Sequence, residues 1–351
     1  MKEFLIGKND AGQRLDRFVA KAAPLLPSSL AQKYIRIKRI KVGGKGSKRD
    51  CILRLGDVVQ MYVNDEFLPA AGPLPPAPNP SGTIPAIEIV YEDGNILLVN
   101  KKAGTLCHSA GTGVSAGVSS HKGVSAGTGI SAGSDTASGT ANTLVAQIQS
   151  YLLQKGEWAP ETEHSFSPAL CNRIDRNTSG IVIAAKNAEA LRIINEKIKL
   201  REIDKCYLAA VHGLPAPPSG RLEGYLEKDT VKNLSFFSAD PLPRSKRVST
   251  DYKTLAARGS LALLECRLVT GRSHQIRAQF SAIGHPLLGD IKYGGKEINK
   301  PYAERCQALC AYKLIFAFKS DSGILEYLRG KSFELNDVPF VKKYFYALQI
   351  S

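Results

Sequence analysis

Ten residues near mid-chain, CNRIDRNTSG from Cys171 to Gly180, constrain this sequence more than any other stretch. A single carboxylate, Asp175, lies between Arg173 and Arg176. A Thr-Ser-Gly turn then leads into the apolar run Ile181-Val182-Ile183-Ala184-Ala185. The chain must therefore build a sheet in which an apolar strand, Ser179–Ala185, starts directly from a charged turn. Nearby positive charge favours the ionised form of a carboxylate. Asp175 is thus a candidate nucleophile or base beside a surface that attracts phosphate.

The placement of charge says more than its total of +15. Residues 1–63 hold fourteen Lys/Arg against five Asp/Glu, so nine of the fifteen net charges fall in under a fifth of the 351 residues. Concentrated positive charge is the footprint of a polyanion binder, which gains affinity by neutralising phosphates and releasing counterions. The first residues, MKEFLIGKNDAGQRLDRF, lack the continuous apolar stretch and small-residue cleavage site of a signal peptide. No run approaches the roughly 18 apolar residues of a membrane span. The seven cysteines are scattered, and the one close pair, Cys306 and Cys310, has no second pair or His cluster to complete a zinc site. At helical spacing these two are expected to be small buried side chains. The expectation is a reduced, cytoplasmic, metal-free monomer that binds nucleic acid.

Residues 1–65 read as a small basic module. RLDRFVAKAAPLL is an amphipathic helix with Leu15, Phe18, Val19 and Ala22 on one face. Ser28 and Ser29 can cap a second helix, SSLAQKYIRIKR. A strand Ile40–Val42, a Gly43-Gly44 turn and a strand region ending in GDVVQMY follow. From Ser28 to Arg49 there are eight Lys/Arg and no acid, and Lys33, Arg36, Lys38, Arg39, Lys41 and Lys45 are the candidate phosphate contacts. Residues 66–86, dense in proline, read as a semi-rigid linker.

A second domain, 87–351, opens with strands Ile87–Tyr91 and Ile96–Asn100. Residues 109–141, nearly all Ser, Ala, Gly, Thr and Val, are expected to be a mobile insertion. Helices are expected over Thr143–Lys155 and Glu189–Ile203. Strands are expected over Cys206–His212, Ser249–Ala256, Leu261–Leu268 and Tyr312–Phe318. Many strands with few helices predict an α+β domain around a large, mostly antiparallel sheet.

The Asp175 stretch resembles the signature of RluA-type RNA pseudouridine synthases, His-Arg-Leu-Asp followed by Arg-x-Thr-Ser-Gly. Three further segments resemble the same family in the same order: NILLVNKKAGTLCH, EIDKCYLAAVHG and LVTGRSHQIRAQFSAIGHPLLGD. Residues 10–62 resemble the S4-type RNA-binding domain, through RLDRF, QKYIR, KVGGK and LGDVV. Asn172 departs from the family's usual His, and Lys102 from its usual Pro. Asn both donates and accepts hydrogen bonds, so the turn can survive its change.

The resemblance implies isomerisation of uridine to pseudouridine in RNA, without cofactor or metal, most often in large-subunit (23S) ribosomal RNA for members with an S4-type domain. It places Asp175 at the catalytic aspartate, either attacking the anomeric carbon or taking a proton from the ribose. Tyr207 falls on the active-site tyrosine, against the target base, and Arg277 on the arginine that pairs with the aspartate. Arg173, Arg176, Arg272, His274 and Gln275 are expected to organise turns and contact the RNA backbone. Two rival readings stand beside this one. The first is an RNA-binding or ribosome-assembly protein that has lost activity, against which the joint presence of Asp175, Tyr207 and Arg277 speaks. The second is the same reaction on transfer RNA.

Overall fold

The computed structural model describes residues 1–68, 87–108 and 143–346. The insertion at 109–141, and all but the first three residues of the expected linker, lie outside them. The chain forms two compact units, Met1–Ala86 with Leu106–Pro168, and Ile87–Thr105 with Ala169–Ser351. The sequence suggests a boundary at residue 87 that leaves 106–168 with the second domain. In the structure the described residues of that segment, 106–108 and 143–168, belong with the first unit. The Asn9 amide donates to Glu163 Oε1 at 2.6 Å, Gln13 Nε2 donates to Ser165 Oγ at 2.6 Å, and Ser165 Oγ donates to the buried Asp10. The Phe4 and His164 rings meet edge to face at 5.4 Å. Polar pairing between segments some 150 residues apart leaves no period or motif in the sequence.

In the first unit, strands β1 (Lys2–Leu5), β2 (Ile40–Val42), β3 (Lys45–Gly46) and β4 (Val58–Met61) form an antiparallel sheet in the order β1-β4-β2-β3. Helix α1 (Leu15–Ala22) buries Leu15, Phe18, Val19 and Ala22, the stripe its periodicity requires. Helix α2 (Ser28–Arg36) buries only Ala31 and Ile35, so its remaining side chains are available to solvent. Its N-cap is Pro27, without a side-chain cap bond, rather than Ser28 or Ser29; both serines lie inside the first turn. A further helix, Leu144–Gln154, is capped by the Thr143 hydroxyl, which accepts from Ala146 N.

The second unit is built on one large sheet. Its main path is β11 (Leu234–Ser238), β10 (Ser219–Asp229), β12 (Lys246–Arg258), β13 (Leu261–Leu268), β9 (Asp204–His212), β14 (Leu309–Ile315), β8 (Ser179–Ala185), β6 (Ile96–Lys101) and β5 (Glu88–Glu92). Two short strands, β7 (Ala169–Leu170) and β15 (Ser332–Glu334), pair with β8 and β14. All neighbours are antiparallel except β14 and β8, which run parallel. One face carries the main core, with Ile181, Ile183, Cys206, Leu208, Ala210 and Leu263 packing against residues that include Ile194, Phe340 and Val341. Side chains alternate along a strand, so on β9 Lys205 and Tyr207 face away from this core. Helix Gln275–Ala282 brings Ala278 against Leu226 and Val248, and Gln279 bonds Thr250 and the Leu222 carbonyl.

Several elements differ from the sequence reading. Helix Ala188–Lys199 stops short of Ile203, because Arg201 takes a left-handed backbone; Ile203 enters the core from beyond the helix. Strands β10 and β11 are not evident in the sequence, since their half-exposed residues dilute the apolar signal. Cys310 lies on β14 and Cys306 precedes it, so their four-residue spacing is not helical. No described helix is long and apolar enough to cross a membrane.

Gly180 sits where β8 meets β14, with φ +119°, and a Cβ there would lie 2.3 Å from the Ala311 carbonyl oxygen. Only glycine fits, because backbone cannot yield as a side chain does. Gly180→Ala is therefore expected to destabilise the protein by more than about 2 kcal/mol. Urea unfolding of the two proteins measures the difference.

Candidate active site

Three central strands deliver the site. The turn Cys171–Thr178 runs into β8, Tyr207 lies on β9, and β13 leads through a tight turn into the helix that carries Arg277. Asp175, Tyr207 and Arg277 thereby line one cavity of about 270 Å³, near the lower end of the range for small-molecule sites, about 300 Å³. Apolar walls from Ile174, Leu268 and Leu309 complete it.

Arg277 lies between two carboxylates. Its Nε and Nη2 donate to Asp290 at 2.6 and 2.9 Å, and its Nη1 donates to Asp175 Oδ2 at 3.1 Å. Burial works against the guanidinium, but Asp290 and then Asp175 outweigh it and raise its pKa above the ordinary arginine value. The two acids differ in exposure. The Asp290 side chain is 1% exposed and that of Asp175 is 24% exposed, so one anchors the arginine while the other meets the cavity. Asp290 reaches in because Gly289, at φ +77°, occupies a spot where a Cβ would lie 2.2 Å from the Cys306 carbonyl oxygen. The Tyr293 ring stacks on the guanidinium at 4.9 Å.

The turn that carries Asp175 is held by backbone groups. Buried Lys101 donates through Nζ to the carbonyls of Lys102, Thr105 and Arg176 at 3.1, 2.9 and 2.9 Å. Gly104 N donates to Arg176 O, and Arg176 Nε donates back to Gly104 O. The substitution at Lys102 is harmless to this arrangement, which uses only that residue's carbonyl. Asn172 supports the turn with its amide oxygen, which accepts from Ile183 N at 2.8 Å.

Of the arginines expected near the carboxylate, the flanking Arg173 and Arg176 do not hold it, whereas Arg277 does, as the family resemblance implies. Arg173 and Arg176 are both exposed, Arg176 turns to Gly104, and Arg277 lies 102 residues away from Asp175. Gln275 departs from expectation as an RNA contact. Its oxygen accepts from Thr270 Oγ1 and Arg272 N, and its nitrogen donates to Ser249 O and Thr250 Oγ1. These four bonds fill an amide's capacity, so Gln275 organises the turn and is buried. Arg272 is exposed at the rim. His274 holds a left-handed backbone, φ 58°, unusual for a residue with a Cβ. Its Nε2 lies 3.9 Å from Asp175 Oδ2. Burial depresses its pKa, with Arg277 and Lys292 acting in the same sense and Asp175 and Asp290 against it.

Sequence reasoning assigns no role to Lys101, Lys205, Asp290 or Tyr293. Lys205 lines the cavity two residues before Tyr207 on the same strand face, and burial lowers its pKa against the pull of Asp204. The alternation of β9 is the signal that could have found it. Burial pushes the Cys171 thiol far up, which disfavours the thiolate that a nucleophile needs. Of the basic-module candidates, Lys33, Arg36, Lys38, Arg39 and Lys45 are exposed and Lys41 is half-buried, its ammonium 5.2 Å from the centre of the Tyr62 ring. Lys33, Arg36 and Lys38 share a broad depression with Lys48 and Arg49 in the first unit.

The sheet thus carries a partly exposed aspartate, bonded by a buried arginine, at a cavity of small-molecule size. Residues 95–282, more than half of the chain, match the RNA pseudouridylate synthase family, and the chain belongs to that family. The activity is that of an RNA pseudouridine synthase, an isomerase acting on RNA. The chain is 28% identical to an uncharacterized RNA pseudouridine synthase of Mycoplasma capricolum, over 94% of this chain and 96% of that one. It is 27% identical to the ribosomal large subunit pseudouridine synthase C of Vibrio cholerae, over 84% and 81%. Human RNA Pseudouridylate Synthase Domain Containing 1, a solved structure, aligns at 18% identity and TM-score 0.49 over 77% of this chain and 97% of that one, too distant to carry weight.

The unequal burial of the two carboxylates predicts unequal costs. Asp290→Ala leaves a buried guanidinium short of its main partner and should cost about 3–5 kcal/mol of stability. Asp175→Ala leaves that pair intact and should cost no more than about 1 kcal/mol. Denaturant unfolding of both variants checks the order.

Proposed function

We propose that this enzyme converts uridine to pseudouridine in large-subunit ribosomal RNA, with Asp175 as catalytic carboxylate, Arg277 as its positioning partner and Tyr207 as the ring against the base. The observation that carries this reading is the convergence of the three side chains on one cavity. Relatives from Vibrio cholerae and Rickettsia conorii are named for the large ribosomal subunit, which favours that substrate.

The target base is out of reach inside a helix and must be flipped out, at a cost of a few kcal/mol. Phosphate contacts offset this cost: Lys33, Arg36, Lys38, Arg39, Lys41 and Lys45 on an S4-type N-terminal module, with Arg173, Arg176 and Arg272 near the cavity. Stacking on Tyr207 holds an unpaired base without needing its sequence. The bond between the ribose anomeric carbon and uracil N1 breaks, and the detached ring turns within the cavity. A bond from the same ribose carbon to uracil C5 then forms. The proton leaving C5 goes to a base, for which Tyr207 is the candidate acceptor, and N1 regains one, so the net change is an isomerisation. Asp175 either attacks the anomeric carbon or withdraws a ribose proton; an aspartate held by Arg277 suits both roles.

Mapping pseudouridine in ribosomal and transfer RNA, with and without the gene, tests the reading. One or more large-subunit sites should vanish, returning with the wild-type protein but not with Asp175→Asn. Return with Asp175→Asn would favour a binding protein, and losses confined to transfer RNA would move the substrate. A second test concerns salt. Replacing Lys33, Arg36 and Lys38 together by Ala should flatten the dependence of log affinity on log salt by roughly 0.7–0.9 for each phosphate no longer neutralised. An unchanged slope would show that these residues touch no phosphate.

A further inference from the structure

The His274–Tyr293 pair behind Asp175 takes no part in the bond changes of the isomerisation, yet its geometry is specific. The Tyr293 hydroxyl oxygen accepts from Ser235 N at 2.8 Å and lies 2.9 Å from His274 Nδ1. The two rings meet edge to face at 5.7 Å. The other imidazole nitrogen, Nε2, faces Asp175 Oδ2 at 3.9 Å. The His274 side chain is only 11% exposed, and its backbone is left-handed. Non-glycine residues in such conformations gather at functional sites.

We propose that Tyr293 donates its hydroxyl proton to His274 Nδ1 and so fixes His274 as the neutral tautomer protonated on Nε2, which presents an uncharged N–H donor to Asp175. Two arguments set the direction of the proton. Burial raises the Tyr293 pKa, with Ser235 and Arg277 opposing, so the phenol keeps its proton and serves as a donor. A carboxylate oxygen facing Nε2 favours the proton on that nitrogen and not on the far one. The charged groups around the ring are Asp175, Asp290, Arg277 and Lys292. Burial and the two cations together hold the imidazole neutral near pH 7, against the two acids.

A neutral donor has a particular use here. Arg277 already supplies the positive charge, and a second cation would compete for the same carboxylate. Nε2–H adds direction without adding charge. The 3.9 Å separation is too long for a hydrogen bond, but contacts of this kind tighten when substrate closes the site. His274 thus acts as a positioning residue through Asp175, and Tyr293 acts through His274. The catalytic part of this inference rests on the role proposed for Asp175; the tautomer does not.

Histidine nitrogen–proton correlation spectra of the full-length ¹⁵N-labelled enzyme at pH 7 read the tautomer directly, with His274 assigned by its loss in His274→Gln. The expected pattern is a protonated Nε2 and a bare Nδ1. In Tyr293→Phe the tautomers should mix. The His274 titration should also move to higher pH, because an Nδ1 without a donor gains more from protonation. On RNA, Tyr293→Phe should lower kcat about tenfold at unchanged KM, and His274→Ala should lower it roughly 10- to 100-fold. His274→Gln, whose amide nitrogen reaches the Nε2 position, should retain more activity than His274→Ala. A wild-type spectrum with the proton on Nδ1, or on both nitrogens at pH 7, would overturn the proposal whether or not Tyr293→Phe folds. The same tautomer and titration in wild type and Tyr293→Phe would do so too. The spectra need no substrate, so a protein inactive on ribosomal RNA would still report the tautomer, and the two readings fail separately.

Discussion

One guanidinium between two carboxylates is the interaction on which the site depends. Arg277 alone would be a buried charge of several kcal/mol cost, and Asp290 offsets it with two short hydrogen bonds. Its third nitrogen, Nη1, donates to Asp175 without relying on that residue for stability. The division of labour matters chemically. An aspartate that had to neutralise a buried arginine by itself would be tied down by that task. Here the structural charge balance is met one residue beyond Gly289, and Asp175 is left with an oriented but accessible carboxylate.

The sheet explains why such distant residues meet. β13, β9, β14 and β8 are consecutive in space though scattered in sequence. Motifs at the ends or along the faces of these strands therefore converge. β9 is covered on both sides, so Tyr207 can stand opposite Cys206 and Leu208 and still be held by packing. The parallel β8–β14 contact around Gly180 brings the Asp175 turn to the middle of the sheet and away from its edge.

Much of this was legible in the sequence, for identifiable reasons. Ser179–Ala185 and Leu261–Leu268 coincide with the observed strands because continuous apolar runs dominate any local preference. The buried stripe of α1 was readable from its spacing. What local pattern alone leaves illegible is pairing at a distance. The sequence puts two arginines beside Asp175, and neither bonds it; the Arg277 pairing, 102 residues further on, was readable only through the family resemblance. Gln275, expected to organise its turn and to touch RNA, is an interior group whose bonds are all used within the protein. The attachment of residues 163–165 to residues 9–13 rests on single hydrogen bonds that no periodicity announces.

Lys101 has a consequence for how this sequence can change. Its ammonium clasps three main-chain oxygens, and main-chain oxygens are common to every amino acid. The loop that presents Asp175 is therefore moored to atoms that substitution does not remove, which makes the unusual residue at 102 an admissible neighbour of the site. The same logic makes Lys101 itself irreplaceable by a shorter side chain, although it stands outside the walls of the cavity.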